Sequence, residues 1–155
     1  MIRLGWNNER GHGAIQVDAT TGALELEDGL TTSALLTVFT WAPATEEEIR
    51  AAGLDVQQGW WGDADSVRDD GEPVIGSKLW LLSRSSTRVT NLRKAEEYVK
   101  QAFAWWIEEG LAESVQVTAT RPRPGMLGLE IIINRPERAG SRVSFLWNMT
   151  THAIT

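Results

Sequence analysis

The constraint that bears hardest on this chain is the alternation in its last third. Ser114-Val115-Gln116-Val117-Thr118-Ala119-Thr120, then Leu127 to Ile133, then Val143 to Trp147 carry apolar residues at every second position, the period of a strand with one buried face. Arg121-Pro122-Arg123-Pro124-Gly125 and Pro136 to Gly140 supply turn residues between them. Such short connections join antiparallel neighbours, so the three runs predict a meander whose apolar face needs a cover. The preceding segment supplies one. Asn91 to Glu109 carries Leu92, Ala95, Val99, Ala102, Phe103 and Trp106 at helical spacing, which predicts one long helix. Thr90 or Asn91 can cap its start, and Gly110 suits the left-handed position past its end.

A second helix is predicted where Leu30, Ala34, Leu35, Val38, Phe39 and Ala42 recur, with Asp28, Thr31 or Thr32 as its cap and Pro43 as its stop. Ahead of it, Ala14 to Asp18 and Leu24 to Leu26 flank the turn residues Thr20-Thr21-Gly22 and predict a β-hairpin behind a glycine-rich lead-in, Gly11-His12-Gly13. Lys78 to Ser83 is an apolar patch that suits a buried helical turn or a strand. A polar tail, Thr150 to Thr155, closes the chain. The expected fold class is α+β: an antiparallel sheet, made of an N-terminal hairpin and a C-terminal three-stranded meander, packed with two main helices. With 155 residues, 42% of them hydrophobic, the chain suits a single domain over 1–155 with a core of its own.

Composition removes several function classes. No cysteine is present, and the two histidines, His12 and His152, lie near opposite ends, so thiol chemistry and multi-histidine metal centres are not expected. A net charge of −6 disfavours nucleic acid as a partner. No apolar run approaches the roughly 20 residues of a membrane helix, and the first residues have no signal-peptide pattern. A soluble protein made in the cytoplasm is the expectation.

Pro43 to Pro73 differs from the rest. Nine acids face only Arg50 and Arg68, a local charge of −7, around Gln57-Gln58-Gly59-Trp60-Trp61-Gly62-Asp63. Apart from a helical turn or two over Glu46 to Ala52, a long ordered loop is expected over about 43–75, and loops of that length inside domains usually serve a function. Read as a calcium loop from Asp63, the segment puts Val67, Arg68 and Val74 where an oxygen ligand, glycine and glutamate are needed, so no metal site is expected. Glu46 to Glu48 and the pair Glu108-Glu109 read as exposed charge. No spacing encodes a glycosidase acid pair, and no nucleophile elbow or phosphate-binding glycine loop occurs, so neither catalysis nor a cofactor is expected. Eight of the twelve aromatic residues are tryptophan. Trp80, Trp106 and Trp147 are expected in the core, whereas Trp60-Trp61 suits either packing or an interface.

Several strings together resemble a known family. Trp6 and the hairpin lead to Asp28-Gly29-Leu30 and the helix Thr31 to Phe39. Then follow Gly59-Trp60-Trp61-Gly62-Asp63, Gly76-Ser77-Lys78-Leu79-Trp80-Leu81-Leu82, Ala95-Glu96-Glu97-Tyr98 and Ala104-Trp105. Their order and spacing resemble the small baseplate wedge proteins of Mu-like contractile-tailed phages, over roughly residues 1 to 148. These are related to the short wedge proteins of other contractile phages and of type VI secretion baseplates.

The resemblance implies a structural, non-enzymatic α+β domain of the virion tail baseplate, monomeric when isolated and present in six copies around the central hub. Each copy would join two copies of a larger wedge protein, and together they would seat the first ring of the tail sheath. Relatives in other contractile phages carry a Glu-Pro-Arg contact element; Arg135-Pro136-Glu137 has similar letters but falls in a late hairpin turn. Some relatives have carried a lysozyme-like label, which keeps a glycan-binding module or a cell-wall hydrolase as the alternative. The interface candidates are Trp60, Trp61 and Asp63 in the acidic loop, Arg135 and Arg138 at the last turn, and Val143 and Phe145 on the last strand. That strand is expected to offer an open sheet edge.

Overall fold

The computed structural model describes residues 4–7, 12–15, 17–23, 29–54, 75–83, 89–136, 139–151 and 154. The alternating C-terminal runs form an antiparallel sheet of order β3-β4-β5, with β3 at Ser114–Thr120, β4 at Met126–Asn134 and β5 at Ser141–Asn148. Its register pairs Val117 with Ile131 and Ile131 with Val143, and likewise Ala119 with Leu129 and Leu129 with Phe145. Partners therefore share parity, and the odd-numbered side chains of all three strands turn to one face. Val117, Ala119, Leu127, Leu129, Ile131, Ile133, Val143, Phe145 and Trp147 are all buried there.

Two helices cover that face. α1 spans Leu30–Phe39 and brings Phe39 edge-on to Phe145 at 5.4 Å and close to Trp147 at 6.4 Å. α3 spans Val89–Ala102 and packs on β3 and on α1, with Ala95 and Val99 wholly buried. The buried face of the sheet and both helices share one continuous hydrophobic core. The fold class is thus α+β, as the periodicity implies.

Several local expectations are corrected. α1 starts after Gly29, held in the left-handed region at φ 86°, with no side-chain cap from Thr31 or Thr32; Asp28 lies outside the described residues. The long C-terminal helix is two helices. At Phe103 the backbone N–H is shared between the Val99 and Lys100 carbonyls, and a short α4, Ala104–Glu108, continues beyond it. This offset lets Phe103 and Trp106 both reach the core, their rings 4.9 Å apart. α3 also begins at Val89, ahead of the expected Thr90 or Asn91 cap. Gly110 has φ 69°, and Leu111 N–H to Trp106 C=O with Gly110 N–H to Ile107 C=O closes a Schellman motif.

At the N-terminus β1, Leu4–Asn7, pairs with β2, His12–Ile15, so His12 and Gly13 of the glycine-rich lead-in are themselves part of a strand; Gly11 lies outside the described residues. The Thr20-Thr21-Gly22 turn forms as expected, closed by Asp18 N–H to Ala23 C=O and by the Asp18 carboxylate on the Thr20 and Thr21 amides. Those amides hold the Asp18 pKa below its ordinary value. The expected second arm at Leu24 to Leu26 lies outside the described residues. The tail is not simply polar: Ile154 is buried and bridges to Trp147.

Candidate protein interface

The string Gly76 to Leu82 is a structural clip. After α1 the chain turns extended at Thr40, and Trp41 pairs with Ser77 as a short parallel bridge. Ser77 N–H donates to Thr40 C=O at 2.9 Å, Ala42 N–H donates to Ser77 C=O at 3.1 Å, and the Ser77 hydroxyl donates to Val38 C=O at the end of α1. This approach needs glycine at 76, where φ is 108° and an added Cβ would meet the Thr40 carbonyl. Leu79–Leu82 then forms a buried 3-10 turn. The Trp80 indole N–H donates to Ala42 C=O at 2.9 Å, which satisfies the one polar atom of a ring 2% exposed.

The same string reaches a second helix. α2, Glu46–Ala51, is opened by a capping box in which Thr45 and Glu48 each bond the other's backbone amide. Lys78 Nζ lies 2.8 Å from both Glu48 carboxylate oxygens. That contact, with help from Thr45 and against partial burial, holds the Glu48 pKa below its usual value. Glu48 is therefore not the free solubilising charge its neighbours Glu46 and Glu47 suggest. Ala44, Ile49, Trp80 and Leu81 close a small satellite core beneath the pair. Tyr98 lines two crevices, of about 220 and 390 Å³, and burial and then the charges of Glu48 and Glu97 raise its pKa. Among the described residues no three His, Asp or Glu side chains gather as metal ligands.

The candidates named from sequence fall in three groups. Trp60, Trp61, Asp63 and Arg138 lie outside the described residues. Arg135 is half-buried at the end of β4, and its guanidinium donates to Ser141 Oγ across the turn at 3.2 Å. Val143 and Phe145 point into the core, each 6% exposed, so their side chains offer no outer surface. What β5 offers outward is its backbone and its even-numbered residues.

The sheet's two edges are finished differently. On β3, Ala119 N–H donates to the Glu96 carboxylate of α3 at 2.9 Å, and α3 lies along the strand. On β5, Met149 N–H bonded to Gly125 C=O sets the phase of the ladder. Ser141, Val143, Phe145 and Trp147 then turn their amides and carbonyls toward β4, and Arg142, Ser144, Leu146 and Asn148 turn theirs outward. Trp147 bridges to Ile154 near the far end of that edge. Arg142 and Ser144 are the stretch with no backbone partner among the described residues.

Comparison with known proteins turns on the stretch that contains the clip. The family model described as phage protein GP46 matches residues 30–140, from the first residue of α1 to the turn before β5. The chain belongs to the GP46 family of phage proteins. It is 35% identical over 147 residues to the Mu-like prophage FluMu protein gp46 of Haemophilus influenzae, covering 95% of this chain and 96% of that one. It is also 35% identical over 133 residues to the baseplate protein gp46 of Escherichia phage Mu, covering 85% of each. The GP46 match therefore spans the clip, both main helices and two strands of the sheet, and the FluMu match runs over nearly the whole chain.

Sequence reasoning missed two features of this GP46-family chain. The capping box is legible as Thr45-Glu46-Glu47-Glu48 ahead of Ile49, and it signals that Glu48 is engaged. The exposed apolar side chains at Trp41, Ile75, Ile107 and Leu111 have no such signal. Each sits beside residues that are buried.

Proposed function

We propose that this chain is a structural component of a contractile phage tail baseplate: a single wedge domain over residues 1–155 that joins larger wedge proteins and helps seat the first sheath ring. The observation that carries this reading is the 35% identity, over 85% of both chains, to the phage Mu protein named a baseplate protein. Its working place is then the virion tail, after assembly in the host cytoplasm.

Two features of the fold support it. The Glu48 carboxylate, which lines the larger crevice, has its pKa lowered by Lys78, the opposite of the raised pKa a general acid needs. The outward amides and carbonyls of Arg142 and Ser144 suit the addition of a strand from a neighbouring chain, and main-chain bonds of that kind hold partners with little demand on side chains. The acidic loop with Trp60 and Trp61 is the proposed contact to the larger wedge protein, and normal folding with unchanged affinity in Trp60→Ala and Trp61→Ala contradicts that contact.

Removing the gene from the phage or prophage tests the role. Lysates are expected to hold tail tubes without a seated sheath and to lack complete baseplates in electron micrographs. Tails of ordinary appearance contradict the role, as does turnover of peptidoglycan by the purified chain.

A further inference from the structure

We propose that the end of α4 is a docking surface for a basic, apolar-centred segment of another baseplate protein; this rests on the baseplate reading above. Ile107 is 47% exposed and Leu111 is 48% exposed, within one turn of each other around the Schellman motif. Trp106 and Ala112 beside them are buried and fix the backbone that presents them. Glu108, Glu109 and Glu113 are exposed around this apolar pair.

The charge there is unbalanced in a specific way. From Gln101 to Thr120 the sequence holds those three glutamates and no lysine or arginine. Glu108 and Glu109 stand at the C-terminal end of α4, where the helix carbonyls already carry partial negative charge and a basic residue is favoured. No ion pair within the described residues relieves them. Arg135 is near in the fold, since Glu113 N–H bonds to the carbonyl of its neighbour Asn134, yet its guanidinium is directed to Ser141. The end of α4 thus combines two features that cost the isolated chain and that one kind of partner removes together. Burial of Ile107 and Leu111 supplies the attraction, and lysine or arginine on the partner neutralises the rim. An acidic rim repels nucleic acid and anionic lipid, so the occupant is a protein.

The test compares the free full-length chain with intact tail particles by carbodiimide labelling of carboxylates, read by mass spectrometry. Glu108, Glu109 and Glu113 are expected to label readily in the free chain and about tenfold more slowly in particles, in line with their burial at an interface. Equal labelling in both overturns the docking surface while leaving the baseplate role intact. Absence of the chain from the particles overturns both. Protection that appears in the free chain as its concentration rises marks a contact between copies and overturns the proposal as stated.

A second measurement uses I107D/L111D and E108K/E109K/E113K. Both variants change exposed side chains, so circular dichroism and thermal melting are expected to match the parent closely. Each variant is expected to be incorporated into particles about tenfold or more below the parent level. Parental incorporation of both variants overturns the proposal.

Discussion

Gly76→Ala is the single change that most directly attacks the arrangement joining α1, α2 and the 3-10 turn. At φ 108° an L-residue is strained, a cost of about 1–2 kcal/mol. The added Cβ would lie 2.7 Å from the Thr40 carbonyl carbon, closer still to its oxygen, and 3.1 Å from the Ala42 nitrogen. These are backbone atoms and cannot rotate away, so the segments at 40–42 and 75–77 must separate. Separation loses the Ser77 N–H bond to Thr40, the Ala42 N–H bond to Ser77 and the Ser77 hydroxyl bond to Val38. At about 1 kcal/mol for each bond, the whole effect is about 4–5 kcal/mol. That is a large part of the roughly 5–15 kcal/mol that holds an ordinary domain folded.

Gly53→Ala is the control. Gly53 has φ 69° but nothing within 4 Å of an added Cβ, so only the conformational cost of about 1–2 kcal/mol applies. Urea unfolding followed by far-UV circular dichroism gives both values. If Gly76→Ala falls within about 1 kcal/mol of Gly53→Ala, the close approach of Gly76 to Thr40 does not hold these segments together.

Other changes probe neighbouring contacts. Because Lys78 depresses the folded-state pKa of Glu48, the unfolded chain binds that proton more readily, and the contribution is full above the ordinary glutamate value of about 4.3. It fades as pH falls through the depressed value, so the urea midpoint of the parent is expected to drop more steeply than that of Glu48→Gln below about pH 5; parallel curves contradict the pairing. Trp80→Phe removes the buried indole bond to Ala42 and leaves a void, and is expected to cost about 2–3 kcal/mol in the same unfolding assay. Trp41→Phe, at a ring 39% exposed, is expected to cost about 0.5 kcal/mol or less. Ser144→Pro removes an amide that points away from β4, so circular dichroism is expected to be unchanged while sheath docking in assembled tails is lost. Retained docking contradicts strand addition at that edge.

The sheet is legible in the sequence because a period of two, punctuated by proline and glycine, leaves little choice of structure, and the shared parity of Leu129, Ile131, Val143 and Phe145 follows from short turns. The same alternation hides a distinction. It marks Val143 and Phe145 as strand residues but says nothing of which positions a partner can reach, and those two face inward. The division of the long helix at Phe103 leaves no glycine or proline to read, because the break is a shared hydrogen bond that serves the packing of Phe103 against Trp106. The Gly76 string is recognisable as a string, but its purpose depends on contacts with Thr40, Ala42 and Glu48, some thirty or more residues away. Local propensity carries no trace of such pairings. Ile154 is similar: one apolar residue in a polar tail finds its place only beside Trp147.

The proposed function is that this chain joins larger wedge proteins in a baseplate. The most direct measurement is co-purification with the larger wedge protein of the same phage, with the mass of the complex read by light scattering. The account predicts a stable complex of one copy of this chain with two of the larger protein. A monomer that passes through without binding that protein contradicts it.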